Sequence, residues 1–184
     1  MEKASKTALV VVADGSESLE TVTIVNVLRR AGIKVTLAAL GNSPVTGTRG
    51  IALMPDTHYD IVASQNFDLI VLPGGENGAR ALGAHAPLIE KLRQQRLAHR
   101  WIGAICAAPA FALAPHGLLD GKQATCYPAF RDSLLHYVDM PVVSDGHTVT
   151  GQGPASALAF SLQLVEKLCG DGPRREVAQA MLAA

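Results

Sequence analysis

The stretch Trp101-Ile102-Gly103-Ala104-Ile105-Cys106-Ala107-Ala108-Pro109-Ala110 decides how this chain is read. Its first half is apolar and carries two Ile, the pattern of a buried strand. Its second half is small and Ala-rich, the pattern of a tightly packed helix start. Cys106 sits at the joint. A thiol between a strand's end and a helix's first turn is lifted out of the core, close to unpaired N–H groups that favour an anion. That is the plan of a nucleophile elbow, and such surroundings turn a cysteine into a thiolate near neutral pH. The same position suits a small buried thiol, because free cysteine is among the most buried residue types. The rest of the chain has to separate the two readings.

Outward from this stretch, 184 residues fit one domain spanning residues 1–184, by the prior of roughly 100–200 residues per domain. Hydrophobic residues make up 48% and charged residues 17%, which excludes a disordered chain. Aromatics are only 4% while Val, Leu, Ile and Ala dominate, which favours a parallel sheet covered by helices. Lys plus Arg and Asp plus Glu both number 16 with no basic run, so nucleic acid is not an expected partner. No apolar run reaches the roughly 18 residues needed to cross a bilayer, so no membrane partner is expected. Met1-Glu2-Lys3-Ala4-Ser5-Lys6 leads straight into a strand-like run without a secretion signal, and a cytoplasmic protein is expected. The 3 cysteines, Cys106, Cys126 and Cys169, form no C-x-x-C pair, which argues against a disulfide framework or a metal site.

In chain order, Thr7 to Ala13 is a continuous apolar run, broken by Asp14-Gly15-Ser16. A helix follows to about Arg30, with Leu19, Val22, Val25, Val27 and Leu28 as its apolar stripe and Ser16 or Ser18 as its cap. Lys34 to Leu40 is the second strand, completing a βαβ unit. Val45 to Thr48 and Ile51 to Met54 are short extended pieces around a turn-rich loop. Phe67 to Leu72 is a strand ending in Pro73-Gly74-Gly75, before a helical stretch from Ala79 to Leu97 interrupted near Pro87. The helix after Cys106 is expected to reach His116, with Gly117 just past its end. Gln123 to Tyr127 reads as a short strand. Pro141 to Ser144 and His147 to Thr150 form a hairpin on Asp145-Gly146. Helices from Ala155 to Cys169 and Pro173 to Ala183 close the chain. Strands alternating with helices make a doubly wound α/β fold, in which ligands bind beyond the carboxyl ends of the strands. Asp14 to Glu20, Pro73 to Gly78 and Cys106 to Pro109 all occupy such ends, which would gather a carboxylate, a glycine turn and a thiol.

Glu20 in the first turn of its helix is either a partner for the helix dipole or a carboxyl beside the thiol, and Glu17 competes for that place. The Gly74-Gly75 turn is able to offer backbone N–H groups to an oxyanion. No Gly-Lys-Ser/Thr follows it, and no G-x-G-x-x-G follows the first strand, so phosphate-loop and dinucleotide binding are disfavoured. The 6 histidines form no metal or catalytic pattern, and none adjoins Cys106. Arg49 is a loop charge open to solvent, to an anion or to a partner chain. Cys126, ahead of Tyr127-Pro128, is placed near the same crevice. Cys169 closes a helix and reads as structural.

The segments Ala8 to Val22, Arg29 to Thr36, Val71 to Gly75, Ala104 to Pro109 and Gly153-Pro154 resemble the ThiJ/PfpI superfamily. More narrowly they resemble its branch containing the Parkinson-disease-linked protein deglycase. The likeness runs from about Lys6 to the C-terminus. It implies a flavodoxin-like, doubly wound, mostly parallel sheet with helices on both faces, of the class I glutamine amidotransferase-like type. It implies a homodimer, for which the first helix and Arg29 are the interface expected from the sequence. It implies that Cys106 is an easily oxidised nucleophile, that Glu20 is its protonated partner, and that Gly74, Gly75 and Ala107 form the anion or oxyanion pocket, with Tyr127, Cys126, Arg49 and Pro154 as further pocket candidates. The activity implied is cofactor-free and metal-free action on a small aldehyde or a glycated substrate, of the glyoxalase or deglycase type. The alternative is a redox sensor or chaperone whose Cys106 becomes a sulfinate. Some relatives carry a His where Tyr127 stands, and a tyrosine hydroxyl, which ordinarily titrates at about 10, is no neutral-pH base. Ala107 rather than His follows Cys106, which excludes the proteolytic and amidotransferase activities of more distant relatives.

Overall fold

Each long apolar run folds into a strand of one sheet. The structure, a computed structural model, describes residues 5–183, so the reading of Met1 to Ala4 lies outside the described residues. In chain order β1 (Thr7–Val12) leads to α1 (Ser18–Arg30) and β2 (Lys34–Ala39). A two-stranded antiparallel ribbon of β3 (Val45–Thr46) and β4 (Ala52–Leu53) follows. Next come β5 (Thr57–His58), α2 (Tyr59–Val62), β6 (Leu69–Leu72), α3 (Glu76–Ala84), α4 (Ala86–Leu97) and β7 (Trp101–Ile105). The hairpin of β8 (Val142–Asp145) and β9 (Thr148–Gly151), then α5 (Ala157–Cys169) and α6 (Asp171–Ala180), complete it.

The main sheet has seven strands in the order β5-β2-β1-β6-β7-β9-β8, all parallel except the β8–β9 pair. Strand order steps outward from β1 in both directions. Right-handed crossovers therefore place α1 on one face of the sheet and α3 and α4 on the other. α5 returns to pack on α1, and α6 packs on α5. This is the expected flavodoxin-like architecture. The three central strands are fully buried from Ala8 to Val12, Leu69 to Leu72 and Ala104 to Ile105, as two-sided cover demands. Val10 pairs with Leu37 and Val71, and Leu72 pairs with Ala104. That register brings the ends of β1, β6 and β7 together at one edge.

Several local readings need correction. The helical segment after Cys106 ends at His116 with Gly117 left-handed at φ +70°, as expected, but it is not α-helical: Pro109–Leu113 is a π-helical turn and Ala114–His116 a 3₁₀ turn. Pro115 cannot donate a backbone bond and its ring crowds the carbonyl four residues back, so the turn widens and Ala114 N–H reaches the carbonyl of Pro109 instead. Residues 123–127 form no strand. Ala124 makes one isolated bridge to Tyr137, and Thr125 N–H is taken by the Thr150 hydroxyl at 2.9 Å. The helical stretch before β7 breaks at His85, two residues ahead of Pro87. The His85 ring nitrogen caps α4 by accepting from Leu88 N–H at 3.3 Å. α1 is capped by Glu17, not by Ser16 or Ser18, and it buries Ile24, Val27 and Leu28 while Leu19 and Val22 stay 53% and 55% exposed. The short β5 and α2 have no counterpart in the sequence reading.

Candidate functional site

The thiol stands at the sharpest point of the sheet edge. Cys106 follows β7 directly and holds φ +62°, a left-handed conformation that costs a non-glycine residue on the order of 1 kcal/mol or more. Both of its backbone groups are fastened. Its N–H donates to Gly151 O at 2.9 Å, and its carbonyl accepts from Tyr127 N–H at 2.8 Å. The neighbouring strand end and the 123–127 segment thus hold the elbow in a form the residue alone would leave. Cys106 keeps 9% of its surface open to solvent.

Glu20 comes to the thiol from the first turn of α1 and is completely buried. One carboxyl oxygen, Oε2, accepts from Gly74 N–H at 2.7 Å. The other, Oε1, is buried without a nitrogen or oxygen partner, and the carboxyl lies against the Cys106 thiol. A buried carboxyl with an orphaned oxygen is best satisfied as an acid whose O–H donates. Burial accordingly pushes Glu20 up to about 7, against the opposing pull of the Gly74 N–H. Glu17 is excluded from this role. Its carboxylate accepts from Leu19 N–H at 3.1 Å and from the Thr48 hydroxyl at 2.7 Å, on the outside of the turn.

The glycine turn has no room for side chains. A Cβ on Gly74 would stand 2.7 Å from Glu20 Oε2 and 3.0 Å from Cys106 Sγ. Gly75 holds φ +81° and would drive a Cβ into the Gly15–Glu17 backbone. Only glycine lets the turn approach so closely, and the N–H groups of Gly75 and Ala107 donate to the Cys106 sulfur. These two donors favour a thiolate. Burial, and then the charge of an ionised Glu20, push the thiol the other way, up to about 12. The elbow therefore does not lower the thiol by itself, contrary to what the stretch alone implies. The two groups are coupled: an ionised Glu20 repels charge on sulfur and holds the thiol protonated, whereas a protonated Glu20 removes that repulsion and is able to donate to a thiolate.

The further candidates divide. Tyr127 is bonded through its N–H to the Cys106 carbonyl, and with Pro154 it lines a cavity of 380 Å³. Cys126 does not line the crevice. It is fully buried, its Sγ donates to Tyr127 O at 3.4 Å, and burial alone pushes it up to about 11. Arg49 holds φ +60° on an exposed loop. That loop is moored to the β1–α1 turn by Thr48 N–H to Ser16 O at 2.9 Å and by Thr46 N–H to Asp14 at 2.8 Å. Among the described residues no cluster able to hold a metal ion occurs, and no helix is long and apolar enough to cross a membrane. The positioning groups missed in the sequence are Gly151, whose carbonyl fixes Cys106, and Ser16, whose hydroxyl accepts from Ala13 N–H at 3.0 Å in the first turn. The Gly-Gln-Gly-Pro sequence after a strand was the available signal for Gly151.

The protein dj-1beta of Drosophila melanogaster is 44% identical over 98% of this chain and 98% of its own length. Its crystal structure superposes with a TM-score of 0.94 at 43% identity, covering 98% and 99% of the two chains. The structure of oxidized DJ-1 from Toxoplasma gondii gives a TM-score of 0.95 at 35% identity, covering 98% of this chain and 100% of that one. A Caenorhabditis elegans protein named glutathione-independent glyoxalase DJR-1.2 is 33% identical over 94% of this chain and 92% of its own. The DJ-1/PfpI family matches residues 6–167. With its strand order, its thiol elbow and this match over most of its length, the chain belongs to the DJ-1/PfpI family.

Proposed function

We propose that the chain is a cofactor-free, cysteine-dependent enzyme of the stress response that acts on 2-oxoaldehydes or their adducts. The observation that carries the reading is the completely buried Glu20 carboxyl, with its orphaned Oε1, set against the thiol of Cys106. The Cys106 thiolate adds to the aldehyde carbon and gives a thiohemiacetal. Glu20 gives its proton to the former aldehyde oxygen, then as a carboxylate takes the proton from that carbon and returns it to the neighbouring carbonyl carbon, while the hydroxyl proton passes to that neighbour's oxygen, giving a 2-hydroxyacyl thioester. Water hydrolyses the thioester, so aldehyde plus water becomes a 2-hydroxy acid and the thiol is regenerated. The Caenorhabditis elegans relative named a glutathione-independent glyoxalase supports this direction. The wild-type chain is expected to convert methylglyoxal and Cys106→Ser to lose at least about a hundredfold in kcat/KM; equal rates would refute the proposal.

A second reading uses the same site. The Gly75 and Ala107 N–H groups at Sγ suit a sulfinate as well as an oxyanion, and a Toxoplasma gondii relative has been crystallised oxidized. On this reading graded peroxide oxidises Cys106 first, and mass spectrometry that finds Cys126 or Cys169 oxidised ahead of it contradicts the sensor. The homodimer is likewise a proposal. Leu19 and Val22 leave an apolar strip on α1, next to a cavity of 520 Å³ lined in part by Val25, Arg29 and Met54. Light scattering at about the mass of one chain would exclude it.

A further inference from the structure

The end of the sheet opposite the thiol carries a second group of side chains, which the reaction does not use. Trp101 opens β7 and Cys106 follows that strand, so about 16 Å of extended chain separates them, at roughly 3.3 Å per residue. At the Trp101 end two cavities, of 430 and 190 Å³, share His99, Arg100 and His147 in their walls. The His147 ring packs against Trp101 and His99, with centroids 5.1 and 5.6 Å away. His99, just past the end of α4, holds φ +51°. Glycine usually takes that place, and here an imidazole occupies it. Arg96, Arg100 and Lys122 wall the larger cavity, and Lys6, Arg100 and Lys167 the smaller. Among the described residues Arg96, Arg100, Lys122 and Lys167 make no ion pair. Arg96 donates to Gly117 O, Arg100 to Asn66 Oδ1 at 2.9 Å and Lys122 to Asp145 O at 3.2 Å, all neutral oxygens that leave the charges unanswered. Asp68, Asp120 and Asp145 face the same cavities. Of these, Asp68 is taken by Lys6 at 3.4 Å and by Thr7 N–H at 2.8 Å, and Asp145 by Gln123 N–H at 2.9 Å. Cations outnumber carboxylates here by five to three, in a chain whose 16 basic and 16 acidic side chains balance.

We propose that these two cavities bind a small phosphate monoester bearing a flat ring. The phosphoryl group sits among Arg96, Arg100 and Lys122, and the ring enters the smaller cavity against Trp101. A phosphoryl group brings close to two negative charges and three acceptor oxygens, which guanidinium forks and an ammonium satisfy from several sides. A carboxylate brings one charge and leaves the cluster in excess. The indole of Trp101 and the side chain of Leu168 give the ring apolar contact, beside the His147 imidazole. The larger cavity has the size of ordinary ligand sites, about 300–1,000 Å³, and the smaller exceeds the roughly 150 Å³ that holds a benzene ring. The site is independent of the chemistry at Cys106.

Trp101 is the only tryptophan of the chain, so its emission reports on this end of the sheet. Titration calorimetry at constant ionic strength measures the affinity for phenyl phosphate, inorganic phosphate and benzoate, and Trp101 fluorescence is followed in parallel. Phenyl phosphate is expected to bind saturably, to change the Trp101 emission, and to bind about tenfold more tightly than either of the others. Arg100 serves both cavities, and Arg100→Gln is expected to weaken phenyl phosphate by about tenfold or more. Lys122→Gln, which leaves the Arg100–Asn66 bond in place, is expected to act in the same direction and serves should Arg100→Gln fold poorly. Four results each overturn the proposal: no saturable binding of phenyl phosphate, binding that leaves Trp101 emission unmoved, an affinity no better than that of benzoate or inorganic phosphate, or an affinity that both variants leave unchanged.

Discussion

Cys106 and Cys126 lie one backbone hydrogen bond apart through Tyr127, both are buried, and both thiols are pushed up, to about 12 and about 11. They nonetheless have different chemistry available. Around Cys126 burial is the whole cause, and its sulfur faces a carbonyl, an acceptor that offers nothing to a thiolate. Around Cys106 burial acts together with Glu20, and the N–H groups of Gly75 and Ala107 pull the other way. Burial raises any thiol; only neighbours able to solvate the charge, and a second group able to take the proton, convert a buried thiol into a nucleophile.

The largest expected effect breaks the comparison outright. In the native chain at pH 7, iodoacetamide should alkylate Cys106 at least about a hundredfold faster than Cys126. In strong denaturant the ratio should fall close to one, because the difference belongs to the fold and not to the residues. Peptide mapping after timed quenching reads both. Comparable native rates would mean that the elbow contributes nothing. A smaller effect sharpens the role of the carboxyl. Glu20→Leu removes the proton donor and leaves two N–H groups, and Cys106 alkylation at pH 7 is expected to slow by about tenfold, the size of one pKa unit.

Much of this contrast is legible in the residues. The apolar runs at Thr7 to Ala13, Phe67 to Leu72 and Trp101 to Ile105 become the three central strands, and the rule that sites form at carboxyl ends gathers Glu20, Gly74, Gly75 and Cys106. That Cys126 is sealed off from the crevice is not legible, because both cysteines precede a small or proline-bearing turn. Their environments depend on Gly151 and Thr150, which are distant in sequence. The apolar stripe of α1 misleads for a related reason. Leu19 and Val22 satisfy a helical period, yet the buried face is set by where α5 packs, and it takes in the polar Glu20 and Thr21. The π-helical turn after the elbow follows from Pro115, a breaker whose effect on a turn already widening at Pro109 is visible only once the backbone is seen. Two-residue β5 exists because β2 offers it an edge at Ala38 and Ala39, a tertiary cause that leaves no periodic trace.

On the proposed function, Glu20 governs the charge on Cys106. Glu20 is raised from 4.5 to about 7 in the folded chain. The folded state thus holds its proton where the unfolded state has lost it, and stability falls as pH rises from the unfolded value through about 7. The same loss of the proton turns Glu20 from a donor to sulfur into a repelling charge. The pH profile of Cys106 alkylation tests this most directly, measured from about pH 5 to 9 on the wild type and on Glu20→Gln. The wild-type profile is predicted to bend near pH 7, and the variant, whose amide donates without titrating, to show no inflection there. Superimposable profiles would contradict the account.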